Sequence, residues 1–142
     1  EECKYHSNGD LRTIAKFNDK GVRTVYCQYD DEGYLTFKRI VDDNNRLLEE
    51  YFHSEYGVPY HYICTRDVDG NLIEANKYNG DEILESKETY DQDGHSVYYY
   101  NVENGNLEEI QKFDKNNRLI SKTTYNPDGS IVYEQNGDNV GK

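Results

Sequence analysis

Basic charge is scarce in this chain: 16 Lys and Arg stand against 28 Asp and Glu, a formal net charge of −12 over 142 residues. Attraction to a phosphate backbone needs clustered Lys and Arg, so nucleic-acid binding is disfavoured, and an anionic membrane surface would repel the chain. Long apolar runs are absent too; none approaches the roughly 18 residues of a membrane-spanning helix. HExxH, GxSxG, P-loop, CxxC and GxGxxG patterns are all missing, so no common catalytic or phosphate-cradling motif is present. Met is absent as well, and the chain opens Glu1-Glu2-Cys3. That start gives the expectation of a secreted product from which a signal segment has been removed.

What remains is polar and aromatic. Only 35% of residues are hydrophobic and 31% are charged, yet there are 15 Tyr and 4 Phe. Disordered chains are poor in aromatics, whereas Tyr suits extended, half-buried surfaces. Strands are therefore expected, in one domain spanning residues 1–142.

A repeat of about twelve residues covers nearly the whole chain. Its units begin at Tyr5, Phe17, Tyr29, Val41, His53, Arg66, Tyr78, Tyr90, Asn101, Phe113 and Tyr125. Each reads aromatic, three polar residues, Gly or Asn, polar, aliphatic, then a short strand-like run, as in "YNPDGSI" from Tyr125. Gly and Asn best tolerate left-handed backbone, and they recur at Gly9, Gly21, Gly33, Asn45, Gly57, Gly70, Gly94, Gly105, Asn117 and Gly129. A type I turn closed by one left-handed residue makes a hairpin loop, with Pro127 suited to its first corner. Asn79-Gly80 would form a tighter two-residue turn.

Such turns force antiparallel neighbours and set the register. They pair Tyr5 with Leu11, Tyr29 with Leu35, Val41 with Leu47, Asn101 with Leu107, Phe113 with Leu119 and Tyr125 with Ile131, a stripe that would form the core side. Changes in spacing place irregularities near Val58–Cys64 and Tyr98–Asn101. The expected fold is all-β: an antiparallel up-and-down meander of about 11–12 short strands. Strand twist would curl it into a barrel or rolled sheet, with a single-layer sheet as the alternative.

The units "YDDEGYL", "YDQDGHS" and "FDKNNRL" resemble the YD repeats of RHS and teneurin-type proteins, and those of small secreted bacterial repeat proteins. Asp follows the aromatic at Asp30, Asp91 and Asp114. The resemblance implies extracellular, non-catalytic β-scaffolding used in adhesion, glycan contact or encapsulation, and it supplies no catalytic residue.

Cys3, Cys27 and Cys64 share a phase of the repeat. The pairing puts Thr13 opposite both Cys3 and Cys27, holding them about 10 Å apart, beyond disulfide reach. Buried free thiols are expected. His61 falls opposite Tyr51, with no nucleophile or orienting acid near it in sequence. Asp42-Asp43, Asp67/Asp69 and Asp91/Asp93 fall in turns at one end of the meander, and "DVDGN" looks like the start of a calcium loop. Leu72 and Tyr78 stand where an EF-hand needs Gly and Glu, so Asp67, Asp69, Asp91 and Asp93 make a weak calcium set at most. Turn formation also explains them. No cofactor is expected.

Aromatics concentrate in "YFHSEYGVPYHY", residues 51 to 62, and "VYYYN", Val97 to Asn101. Consecutive Tyr must occupy both faces of a strand, so some rings would face away from a core. Tyr51, Tyr60, Tyr62, Tyr98 and Tyr100 are the candidate contact residues. The sequence thus reads as a secreted or cell-surface binding or structural protein, with an unidentified protein or glycan as partner. Alternatives are an acidic inhibitor that masks a basic partner, and, less favoured, an enzyme with its site in a barrel mouth.

Overall fold

Aspartate and asparagine side chains close most of the turns from which the fold is built. In the computed structural model, which describes residues 1–55 and 57–137, the turns at Asn18, Asp30, Asp42, Asp67, Asn79 and Asp114 follow one plan. The backbone N–H of the first residue donates to the carbonyl four residues on, and its own carbonyl accepts from the residue three on. The same side chain's Oδ1 then accepts the N–H groups two and four residues ahead, as Asp30 does from Glu32 and Tyr34. Asp67 does so from Asp69 and Asn71. An Asp or Asn directly after the aromatic is therefore a turn cap, satisfying donors that would otherwise point to water.

Between the turns run twelve strands, all antiparallel, and no helix occurs among the described residues. They are β1 (Glu2–Tyr5), β2 (Leu11–Phe17), β3 (Arg23–Tyr29), β4 (Leu35–Val41), β5 (Leu47–Phe52) and β6 (Tyr60–Arg66). Then come β7 (Leu72–Asn79), β8 (Leu84–Asp91), β9 (Gly94–Tyr100), β10 (Leu107–Asp114), β11 (Leu119–Tyr125) and β12 (Ile131–Asn136). The meander is up-and-down throughout. Its contacts group into two units, Glu1–Cys64 and Thr65–Lys142. Within each unit, strands pack against their sequence neighbours, so each is one layer thick.

The sheet does not close. β1 is hydrogen-bonded to β2 alone and β12 to β11 alone, so the expected barrel does not form. The reason is the lack of anything to enclose. The buried apolar residues are Ala15, Val41, Cys64, Ala75 and Val97, and none is large. The stripe of pre-turn aromatics is not a core either: Tyr5 and Phe17 are exposed, and Val41 is its best-buried member.

Register follows the expected pairs at Tyr5↔Leu11, Tyr29↔Leu35, Val41↔Leu47, Phe113↔Leu119 and Tyr125↔Ile131. One device was not anticipated. Directly after the partner of each pre-turn residue, aliphatic in every case but Arg23, sits an extra residue that the facing strand skips: Arg12, Thr24, Thr36, Leu48, Glu85, Glu108, Ile120 and Val132. These bulges shift the rest of each ladder by one. Cys3 and Cys27 consequently flank Ile14, not Thr13. Cys64 is buried, while Cys3 and Cys27 are half-buried free thiols.

Other expectations change for local reasons. Leu107 pairs with Tyr100, because the Asn101–Asn106 loop is one residue longer and takes Asn101 out of the strand. That shift lies at Tyr99/Tyr100, as the spacing implied, with Glu108 as the bulge. Near Val58–Cys64 the β5–β6 ladder is regular from Glu49↔Ile63 to Phe52↔Tyr60. The β7–β8 turn takes the common form, with Glu82 rather than glycine at φ 60°. Gly94 does not end a turn but pairs with Asp91 at φ 148°, across a two-residue loop of Gln92 and Asp93.

Candidate functional site

Cross-strand partners share a face, so the register assigns every side chain in the first unit. One face carries the row Ala15, Tyr26, Arg39, Glu50 and Tyr62, and beside it the row Gln28, Phe37, Phe52 and Tyr60. The other face carries Cys3, Ile14, Cys27, Lys38, Tyr51 and His61. The candidate aromatics are thereby divided: Tyr60 and Tyr62 lie on the first face, Tyr51 on the second.

On the first face, the rings pack in two pairs. Tyr26 and Phe37 have centroids 6.1 Å apart, and Phe52 stacks on Tyr60 at 5.8 Å. The Arg23 guanidinium covers the Tyr26 ring at 4.3 Å. Charge is placed among these rings in pairs. The Tyr60 hydroxyl donates to Glu50 Oε1 at 2.6 Å, and Arg39 Nη1 donates to Glu50 Oε2 at 2.9 Å. The hydrogen bond to Glu50, helped by burial and the nearby negative charge, pushes the Tyr60 hydroxyl up to about 12. Tyr60 is thus a fixed donor.

On the second face the central feature is Glu49, which sequence reasoning missed. Its Oε1 lies 2.9 Å from Lys38 Nζ and 2.8 Å from His61 Nε2, joining β4, β5 and β6 through one carboxylate. His61 therefore does have an acid beside it, and its ring N–H donates to that acid. The pairing became visible only once Glu49 was placed diagonal to both partners. Partial burial pushes the Glu49 carboxyl up, but the hydrogen bonds and charges of Lys38 and His61 outweigh it, and its pKa is lowered. Tyr51 stands between two imidazoles, edge-on to His61 at 5.6 Å and stacked with His53 at 6.4 Å. Burial, together with Cys27, raises the Tyr29 hydroxyl.

In the second unit Tyr98 and Tyr100 share a face, and Tyr99 is on the other. All five candidate tyrosines are half-buried; the exposed ring of the Tyr98–Tyr100 run is Tyr99. Lys87 Nζ lies 5.5 Å from the Tyr98 centroid. On the Tyr99 face, Tyr90, His95 and Phe113 form a stack with successive centroid separations of 5.5 and 4.7 Å. The Tyr90 hydroxyl donates to Glu88. Glu109 binds Lys122 at 2.7 Å and raises its pKa.

The acidic turns do not converge. Asp67 Oδ1 and Asp91 Oδ1 are occupied by backbone N–H groups of their own turns, and Asp69 and Asp93 contribute two of those N–H groups. The N–H of Asn71, with its side chain, lowers the Asp67 carboxyl below its usual range. Among the described residues no group of three or more His, Cys, Asp or Glu is arranged to hold a metal. No helix among them is long and apolar enough to cross a membrane.

An open groove of about 1040 Å³ lies in the first unit between the β3–β4 turn and the β5–β6 loop. It has an aromatic floor that includes Phe37 and Phe52, and an acidic rim. Gly57 lies so close to the Phe52 ring that a Cβ there would sit 2.8 Å from Cε1. The sequence matches no known family model and no curated protein.

Proposed function

We propose that this chain is a non-enzymatic binding module of the YD-repeat type, working outside the cell and contacting a glycan or protein through its aromatic rows. One observation carries the reading. The Tyr26, Phe37, Phe52 and Tyr60 rings lie on one open face in two packed pairs, and each keeps part of its surface in water. A sheet that needed these rings only for stability would cover them with a second layer. Here the first unit is one layer thick, and the rings are fixed by Arg23 and the Arg39–Glu50–Tyr60 chain. A preorganised aromatic surface bounded by hydrogen-bonding groups suits a sugar face or a peptide backbone.

Labelled protein applied to glycan and peptide arrays tests the reading, with Tyr60→Ala as the site variant. Retention on one ligand class, lost in a Tyr60→Ala protein whose circular dichroism is unchanged, is the expected result. Folded protein retained by neither array overturns it.

A further inference from the structure

We propose that the groove between the β3–β4 turn and the β5–β6 loop receives a lysine or arginine side chain from a basic peptide segment. This rests on the binding reading above and names a ligand class for it. The two loops stand at the same end of the sheet, with β4 and β5 between them. Two strand spacings separate the groove walls by about 10 Å, wide enough for one extended side chain.

The wall formed by the β3–β4 turn is braced from outside. His6 Nε2 donates to the Tyr29 carbonyl oxygen at 2.9 Å, and Asn8 Nδ2 donates to the Asp31 carbonyl oxygen at 3.2 Å. Those contacts use backbone carbonyls and leave the Asp31 carboxylate in the groove lining. The Asp30 carboxylate caps its own turn, but those of Asp31, Glu32 and Glu55 have no hydrogen bond or ion pair. Tyr34, 68% exposed, stands beside them. Arg12 is the one fixed cation in the lining.

The two halves of the groove suit the two halves of such a ligand. The Phe37 and Phe52 rings accept an aliphatic stem, and the Tyr34 ring offers its face to a cation. The carboxylates only accept hydrogen bonds, and they complement an ammonium or guanidinium head, which only donates. Elsewhere in the first unit the partly buried carboxylates are already paired: Glu49 with Lys38, and Glu50 with Arg39. At this groove the carboxylates outnumber the one lining Lys or Arg, Arg12, and a further cation has to come from outside.

Fluorescence titration with a labelled peptide of alternating Lys and Gly tests this, against the same peptide carrying Glu in place of Lys. The expected results are binding of the Lys peptide alone, weakened as salt rises from about 50 to about 500 mM. The Asp31→Asn, Glu32→Gln, Glu55→Gln triple variant should weaken it at least about tenfold, and Tyr34→Ala about threefold. Neutralising Asp81, Asp93 and Glu103, which are exposed in the second unit, removes equal charge and should leave affinity within about twofold. Equal loss in both triple variants, or no binding of the Lys peptide, overturns the proposal. If the Lys peptide fails while a glycan is retained in a Tyr60-dependent way, only this inference falls; if both fail, the wider reading falls with it.

Discussion

From Lys38 to His61 the first unit joins its strands through charge, whereas from Tyr90 to Phe113 the second does so through stacked rings. Most hairpins of both units share one backbone plan, a capped turn, a pair beside it and a bulge, from which the bulge-free β5–β6 and β8–β9 ladders depart. Within that plan only the fillings differ. Glu49 reaches two neighbouring strands because carboxylate, ammonium and imidazole meet at hydrogen-bonding distance along a diagonal. The Tyr90–His95–Phe113 stack instead needs β9 and β10 to approach closely. Gly94 permits that approach: a Cβ there would collide with the Phe113 carbonyl oxygen. A one-layer repeat thus tolerates two kinds of cross-strand joint, one insensitive to close approach and one dependent on it.

The most disruptive way to test that difference is Gly94→Ala. The new methyl has nowhere to go except into backbone, so the second unit should lose about 3 kcal/mol, read as a lower urea midpoint. Gly33→Ala is the contrast. Gly33 has φ 90° with no atom within 4 Å of an added Cβ, so only left-handed strain remains, about 1 kcal/mol. Equal losses would mean the close approach is not what matters at Gly94. Glu82→Gly acts in the opposite direction. Glu82 holds a φ of 60° in a turn whose relatives use Gly or Asn, and replacement should add about 1 kcal/mol. A lower melting temperature would show that the Glu82 side chain matters more than its backbone.

Glu49→Gln gives the smallest change, about 0.5 kcal/mol at neutral pH, because the cluster is partly solvated. Its pH signature is more informative. The folded-state pKa of Glu49 lies below the ordinary 4.5. Its contribution is therefore present above that value and is lost as pH falls through the lower folded pKa. The variant should match the parent in strong acid and fall behind it above about pH 5. Parallel stability curves across that range would mean that the charge contributes nothing.

The architecture was legible because turn chemistry is local. Asp30 or Asn126 closes a loop with groups at most four residues away, so the strand count and the Tyr125–Ile131 pair could be derived from spacing. Closure was not legible, since it depends on how much apolar surface is left to hide, and Ala15, Ala75 and Val97 leave very little. Bulges were hidden because the skipped residue has no common chemistry: Arg12, Thr24, Leu48 and Glu108 all fill that position. Missing them moved the partner of Cys27 by one residue and kept Glu49 away from Lys38. Gly94 was misread because a glycine needed for close approach looks, in sequence, like one needed for a turn. The acidic groove could not have been found in sequence at all, since Asp31 and Glu55 meet across two intervening strands.

Alternation of the loops between the two ends of the meander has a consequence for how such a chain can grow or shrink. Removing one repeat would reverse every strand that follows and exchange the ends at which later loops emerge. Removing two restores direction, and the loops on each side are again of matching kind. Side chains already reach across that double step, His6 to Tyr29, Asn8 to Asp31 and Asn106 to Pro127. The element that can be copied or deleted without rewriting its neighbours is the pair of hairpin arms, and a lineage built this way would vary in length by even numbers of strands.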